Sequence, residues 1–68
     1  MRKKYSLIGI NGNAFCVMGY VSLAMQEVGM SKEEINQYIL NAMSSNYDHL
    51  LSVSFDMIND CNKLAENG

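Results

Sequence analysis

The chain has no proline, no tryptophan, a single histidine and only two cysteines among its 68 residues. It also has no low-complexity tract, and 49% of its residues are hydrophobic against 18% charged, a balance that excludes an intrinsically disordered segment. His49, Cys16 and Cys61 stand too far apart to show the paired spacing of a zinc site. No apolar run approaches the ~20 residues needed to span a bilayer. No acidic residue precedes Glu27, whereas three of the five basic residues are Arg2, Lys3 and Lys4. The net charge is still −2, so the broad basic face of a nucleic-acid-binding protein is missing. The basic tip reads as a solvated end that discourages edge-to-edge aggregation of the adjacent segment.

Basic residues ahead of an apolar stretch also invite comparison with a secretory signal. Asn11, Gly12 and Asn13 interrupt that stretch after Ile10, and Asn13-Ala14-Phe15 lacks the small residues of a cleavage site. The expectation is a cytoplasmic protein without a membrane segment, in which Cys16 and Cys61 are reduced core residues rather than a disulfide.

What is present predicts a mainly α protein: one small domain over 1–68, with a short N-terminal β-strand followed by three helices, α+β if the strand pairs. Residues 5–10, Tyr-Ser-Leu-Ile-Gly-Ile, favour a strand and stop at a turn-forming Asn-Gly-Asn. Asn13 suits the cap of a first helix over about 14–28, where Phe15, Val17, Met18, Val21, Ala24, Met25 and Val28 recur at spacings of three and four. Cys16, Tyr20 and Leu23 widen this stripe until the helix looks apolar all round, as a surrounded helix does, and Gly19 suggests close approach by another backbone.

Gly29 is placed to end that helix, and Ser31-Lys32-Glu33-Glu34 is a capping box with Met30 and Ile35 as its hydrophobic staple. A second helix over about 32–43 follows, its inner face formed by Ile35, Tyr38, Ile39, Ala42 and Met43. Ser44, Ser45 and Asn46 offer caps for a third over about 47–64, with Asp48 in its first turn, where a carboxylate favours the positive helix end. The inner stripe there is Tyr47, Leu50, Leu51, Met57, Ile58, Cys61 and Leu64, with Ser54 in the gap. Val53 and Phe55 fall outside the stripe and mark either a partner contact or a different choice of face.

The strand raises a question of its own. Its backbone groups need a mate, and residues 59–68 contain no β-branched or aromatic residue to provide one. Pairing with the same strand of a second chain is therefore expected, with Tyr5 and Leu7 at the contact. A domain this small gains stability from a second copy, which makes a homodimer the expected state.

Candidate chemistry is sparse. Strand, Gly9-Ile10-Asn11-Gly12-Asn13 and helix start form a geometry able to cradle phosphate, yet the phosphate-loop and dinucleotide glycine patterns are both missing, and a turn with an Asn cap explains the same residues. His49 beside Asp48 and Tyr47 could move a proton, but a single imidazole without nucleophile or orienter is no catalytic set, and helix capping explains the pair equally. The sequence gives no reason to expect an enzyme or a cofactor. Six methionines suit a core or an adaptable binding surface; exposure of Met18, Met25 or Met57 would point to a groove for a partner helix.

Gly9-Ile10-Asn11-Gly12-Asn13-Ala14-Phe15 and Ser44-Ser45-Asn46-Tyr47-Asp48-His49-Leu50-Leu51 resemble the signature stretches of a family of small uncharacterised bacterial and phage proteins, and the Gly-x-Ser-Lys-Glu-Glu-Ile between them is also similar. The likeness covers about residues 5–58. Family members commonly carry Asp before the Gly of the first stretch and Gly-Asp before the Tyr of the second, where this chain has Asn11, Ser45 and Asn46. Relatives also end in a short Glu-Val-like strand that is missing here. The resemblance implies a bacterial or mobile-element origin and a shared fold, and carries no activity with it. If the two stretches fold together, Asn11, Gly12, Asn13, Tyr47, Asp48 and His49 line one end of the molecule, and these six are the expected ligand-binding residues.

The functional expectation is a non-enzymatic protein that binds another protein, as a homodimer. The alternative is a binder of a phosphate-bearing ligand at the 9–13 loop, near Asn11, Gly12 and Asn13, and the helix N-terminus, with the basic residues Arg2, Lys3 and Lys4 assisting. A DNA-binding helix pair is opposed by the acids of the second and third helices.

Overall fold

The computed structural model describes residues 5–67, with side chains through residue 66. Arg2, Lys3 and Lys4 lie outside the described residues. The fold is mainly α: helices α1 (Ala14–Glu27), α2 (Lys32–Ala42) and α3 (Tyr47–Asn67), each packed against the other two.

Local chemistry accounts for every helix start. The Asn13 carboxamide oxygen accepts the Phe15 amide at 2.8 Å and so caps α1. At α2, the Ser31 hydroxyl accepts the Glu34 amide at 3.1 Å while the Glu34 carboxylate accepts the Ser31 amide at 3.0 Å, the two halves of a capping box. Asn46 Oδ1 accepts the His49 amide at 3.0 Å and opens α3. Between α1 and α2, Gly29 adopts φ of 90°, the Met30 amide reaches the Met25 carbonyl and the Gly29 amide reaches the Gln26 carbonyl, which is a complete Schellman ending.

These short connections bring the start of α1, the end of α2 and the start of α3 to one end of the molecule. The core between them is built from Val17, Met18, Val21, Ala24 and Met25 of α1, Ile35, Tyr38 and Ala42 of α2, and Leu50, Ile58 and Cys61 of α3, closed on one side by Tyr5. Full burial of side chains such as Val21 and Met25 contributes roughly 1.5–3 kcal/mol each. Ser54 is also fully buried, and its hydroxyl pairs with that of Tyr38 at 2.6 Å.

Several expectations need correction. No strand forms at 5–10 among the described residues: 5–7 are irregular, and the chain then turns, with the Ile10 amide donating to the Leu7 carbonyl at 3.2 Å. The mate that this segment requires comes from side chains. The Tyr5 amide donates to Asn62 Oδ1 at 2.6 Å, and Asn62 Nδ2 donates to the Tyr5 carbonyl at 3.0 Å, so one carboxamide satisfies both backbone groups of a residue as a neighbouring strand would. The Ser6 amide donates to the Tyr20 hydroxyl at 2.9 Å, and the Tyr5 hydroxyl to Glu27 Oε1 at 2.9 Å.

Helix α1 is not surrounded. Phe15, Cys16, Gly19 and Leu23 form an exposed side, so Cys16 is a free surface thiol while Cys61 alone is in the core. A Cβ at Gly19 would meet nothing within 4 Å, so no backbone approaches there. Met43, Tyr47 and Leu64 are exposed rather than inward, Val53 packs half-buried against the core, and α3 continues past 64 to Asn67.

Candidate functional site

The meeting of three helix ends leaves a groove of about 260 Å³. Ala14, Phe15 and Met18 form its α1 wall, Ala42 and Met43 close it from α2, and Tyr47 and Leu50 form its α3 wall. Its lining is apolar except for Ser45 and Asn46 at the rim. Phe15 is 74% exposed and Met43 57% exposed, an unusual amount of open apolar surface for residues so close together.

The loop before α1 and the start of α3 do come together here. The Tyr47 hydroxyl donates to the Gly12 carbonyl, so the ring tethers the 9–13 loop while forming one wall of the groove. The remaining polar residues of this end are committed locally. Asn11 Oδ1 accepts the Asn13 amide at 2.9 Å, and Asn13 caps the Phe15 amide. Two of the amides that a phosphate would use are therefore already bonded.

Asp48 is exposed in the first turn of α3. His49 is half-buried and turns its Nε2 toward the end of α2, 3.0 Å from the Asn41 carbonyl, 3.3 Å from Asn41 Oδ1 and 3.4 Å from Ser44 Oγ. A backbone carbonyl can only accept, so Nε2 carries the proton. His49 thereby joins α3 to the Asn41 carbonyl near the end of α2, which also accepts the Ser44 amide at 3.1 Å and the Ser44 hydroxyl at 2.6 Å. The arrangement ties two helices together, and the Ser44 hydroxyl beside the imidazole is itself committed to that carbonyl.

The four residues assigned to partner contact are scattered in character. Tyr5 is only 9% exposed and belongs to the core, Leu7 and Val53 are half-buried against it, and Phe55 is 50% exposed. Of the three methionines named as indicators of a groove, Met18 and Met25 are buried and Met57 is half-buried. Among the described methionines the exposed one is Met43, which the α2 pattern places inward. Phe15 and Met43 were both hidden by their helical spacing, which shows a stripe but not how far a neighbouring helix covers it.

Among the described residues, no three His, Cys, Asp or Glu side chains gather closely enough to hold a metal ion, and no helix is long and apolar enough to cross a membrane. Burial raises the Cys61 thiol above its ordinary value, with the adjacent Asp60 charge acting in the same direction. The chain matches no protein-family model, no curated protein and no solved structure.

Proposed function

We propose that this chain is a non-enzymatic interaction module that binds another protein through the groove where the three helices meet. The observation carrying this reading is the exposure of Phe15 and Met43 around a groove whose base is apolar. A flexible thioether beside two aromatic rings can repack around different apolar side chains, which is how helix-binding grooves accommodate an amphipathic partner. Phosphate binding at Asn11, Gly12 and Asn13 has weaker support, because the Asn13 and Phe15 amides are bonded within the loop.

Selection of a displayed library of random peptides against the immobilised full chain tests the proposal. Enriched peptides should place apolar residues at i, i+3 or i+4 and i+7. A Phe15→Ser, Met43→Ser double variant should bind them at least about tenfold more weakly, the scale of losing one central contact. No enrichment, or unchanged binding by the folded double variant, overturns the proposal.

A further inference from the structure

At the opposite end of α1 from the groove, the N-terminal arm is clasped by side chains of α1 and α3. Tyr5 and Ser6 are held by the side chains of Tyr20 and Glu27 of α1 and Asn62 of α3, and Tyr5 lines a small pocket together with Tyr20, Leu23, Ala24 and Glu27. The Asn62 carboxamide reads the backbone of Tyr5 by one acceptor and one donor contact, Tyr20 takes the Ser6 amide, and Glu27 takes the Tyr5 hydroxyl. We infer that this clasp also takes the Tyr5–Leu7 arm of a second copy, so that two chains pair by exchanging arms.

Three features carry the inference. Every polar contact just described joins the arm to a residue from Tyr20 onward, so the clasp is indifferent to which chain supplies the arm. A symmetric exchange remakes all of these contacts in trans. Secondly, the arm ends at a definable pivot. Leu7 packs on the core on one side, and on the other the Gly12 carbonyl is held by Tyr47 and Asn13 caps α1. Between these points Ile8, Gly9 and Asn11 are exposed, and Ile8 and Gly9 are the central pair of the Leu7–Ile10 turn.

Thirdly, the return of the arm depends on that turn. Gly9 adopts φ of +88° as the third turn residue, the position where a type II turn needs a positive value. Straightening the pivot would carry Leu7 about 17 Å from Gly12, at ~3.4 Å for each of the residue steps between them. The choice between a closed monomer and an exchanged dimer is thus set by the turn and by protein concentration, since the arm contacts are the same in both. Phe15 and Met43 take no part, so failure here leaves the groove reading untouched.

The test uses the full chain in two forms, native and with Ile8 and Gly9 deleted, each refolded from denaturant at high concentration as an equal mixture of isotopically labelled and unlabelled protein. Without its central pair the turn cannot fold the arm back, and the sedimenting mass of the deletion variant should rise about twofold, to that of a closed dimer. Isotope-filtered NMR should show the Tyr5 backbone of one chain against the Asn62 carboxamide protons of the other. Adding Asn62→Ala to the deletion should return the mass to that of a monomer. The inference is overturned by a folded deletion variant that stays monomeric, or by a dimer that survives Asn62→Ala. If the deletion variant does not fold, the native mixture decides: interchain contacts between Tyr5 and Asn62 support the exchange, and their absence overturns it.

Discussion

The hydroxyls of Tyr38 and Ser54 meet 2.6 Å apart in the core, between the middle of α2 and the middle of α3. Each hydroxyl is the hydrogen-bond partner of the other, and Ser54 has no accessible surface. A paired buried hydroxyl contributes modestly, whereas an orphaned one carries the full loss of hydration. Tyr38→Phe and Ser54→Ala should therefore each destabilise the protein by about 1–3 kcal/mol, and the double variant by clearly less than the sum. Urea unfolding of the four proteins measures the coupling; additive losses would show that the pair is energetically idle.

The same burial sets an alkaline limit. Desolvation raises the Tyr38 hydroxyl above 10.0, only partly opposed by its bond to Ser54, and it raises Cys61 above 9.0. In both cases the folded state holds its proton more tightly than the unfolded chain. Their contribution is complete below the unfolded values and falls as pH rises through and beyond them. Stability should be flat with respect to these two groups up to about pH 8 and decline from about pH 9 upward, with Cys61→Ala removing the earlier part of the decline. Chemical denaturation at intervals from pH 7 to 11 measures this.

Ser22 in α1 presents the opposite case to Ser54: its hydroxyl is buried without a hydrogen-bond partner. Ser22→Ala removes an unsatisfied polar atom and improves helix propensity, so it should stabilise the protein by about 0.5–1 kcal/mol. A rise in thermal midpoint tests this, and an unchanged or lower midpoint contradicts it.

At the start of α2 the capping box predicts a loss. Ser31→Ala abolishes the bond to the Glu34 amide and should cost about 1 kcal/mol, while Ser31→Asp should retain most of the stability. Thermal unfolding of the two variants separates capping from any effect of side-chain size.

How much of this was legible in the sequence depended on the range of the interaction. Asn13, Gly29, Ser31 with Glu34, and Asn46 act within a few residues of themselves, and the helix limits follow from them. The tether from Tyr47 to Gly12 was foreseeable only as two stretches sharing one end. Tyr5-Ser6-Leu7 has the composition of a strand, but its backbone partner is the Asn62 side chain, and no local pattern connects an asparagine in a helix to residue 5. The exposure of Phe15 and Leu23 was hidden for a different reason. Helix α1 is apolar on nearly all sides, so periodicity could not select the side that α2 and α3 cover.

The contact between Tyr5 and Asn62 also bears on the order in which the molecule assembles. It spans 57 positions, whereas the α1–α2 and α2–α3 pairs are joined by short connections. Loop closure over that length is favourable only after α3 already stands beside α1, which places docking of residues 5–7 among the last folding events. Opening in the native state should run in reverse, so the Tyr5 and Ser6 amides should exchange with solvent well before those of Val21, Met25 or Ile58.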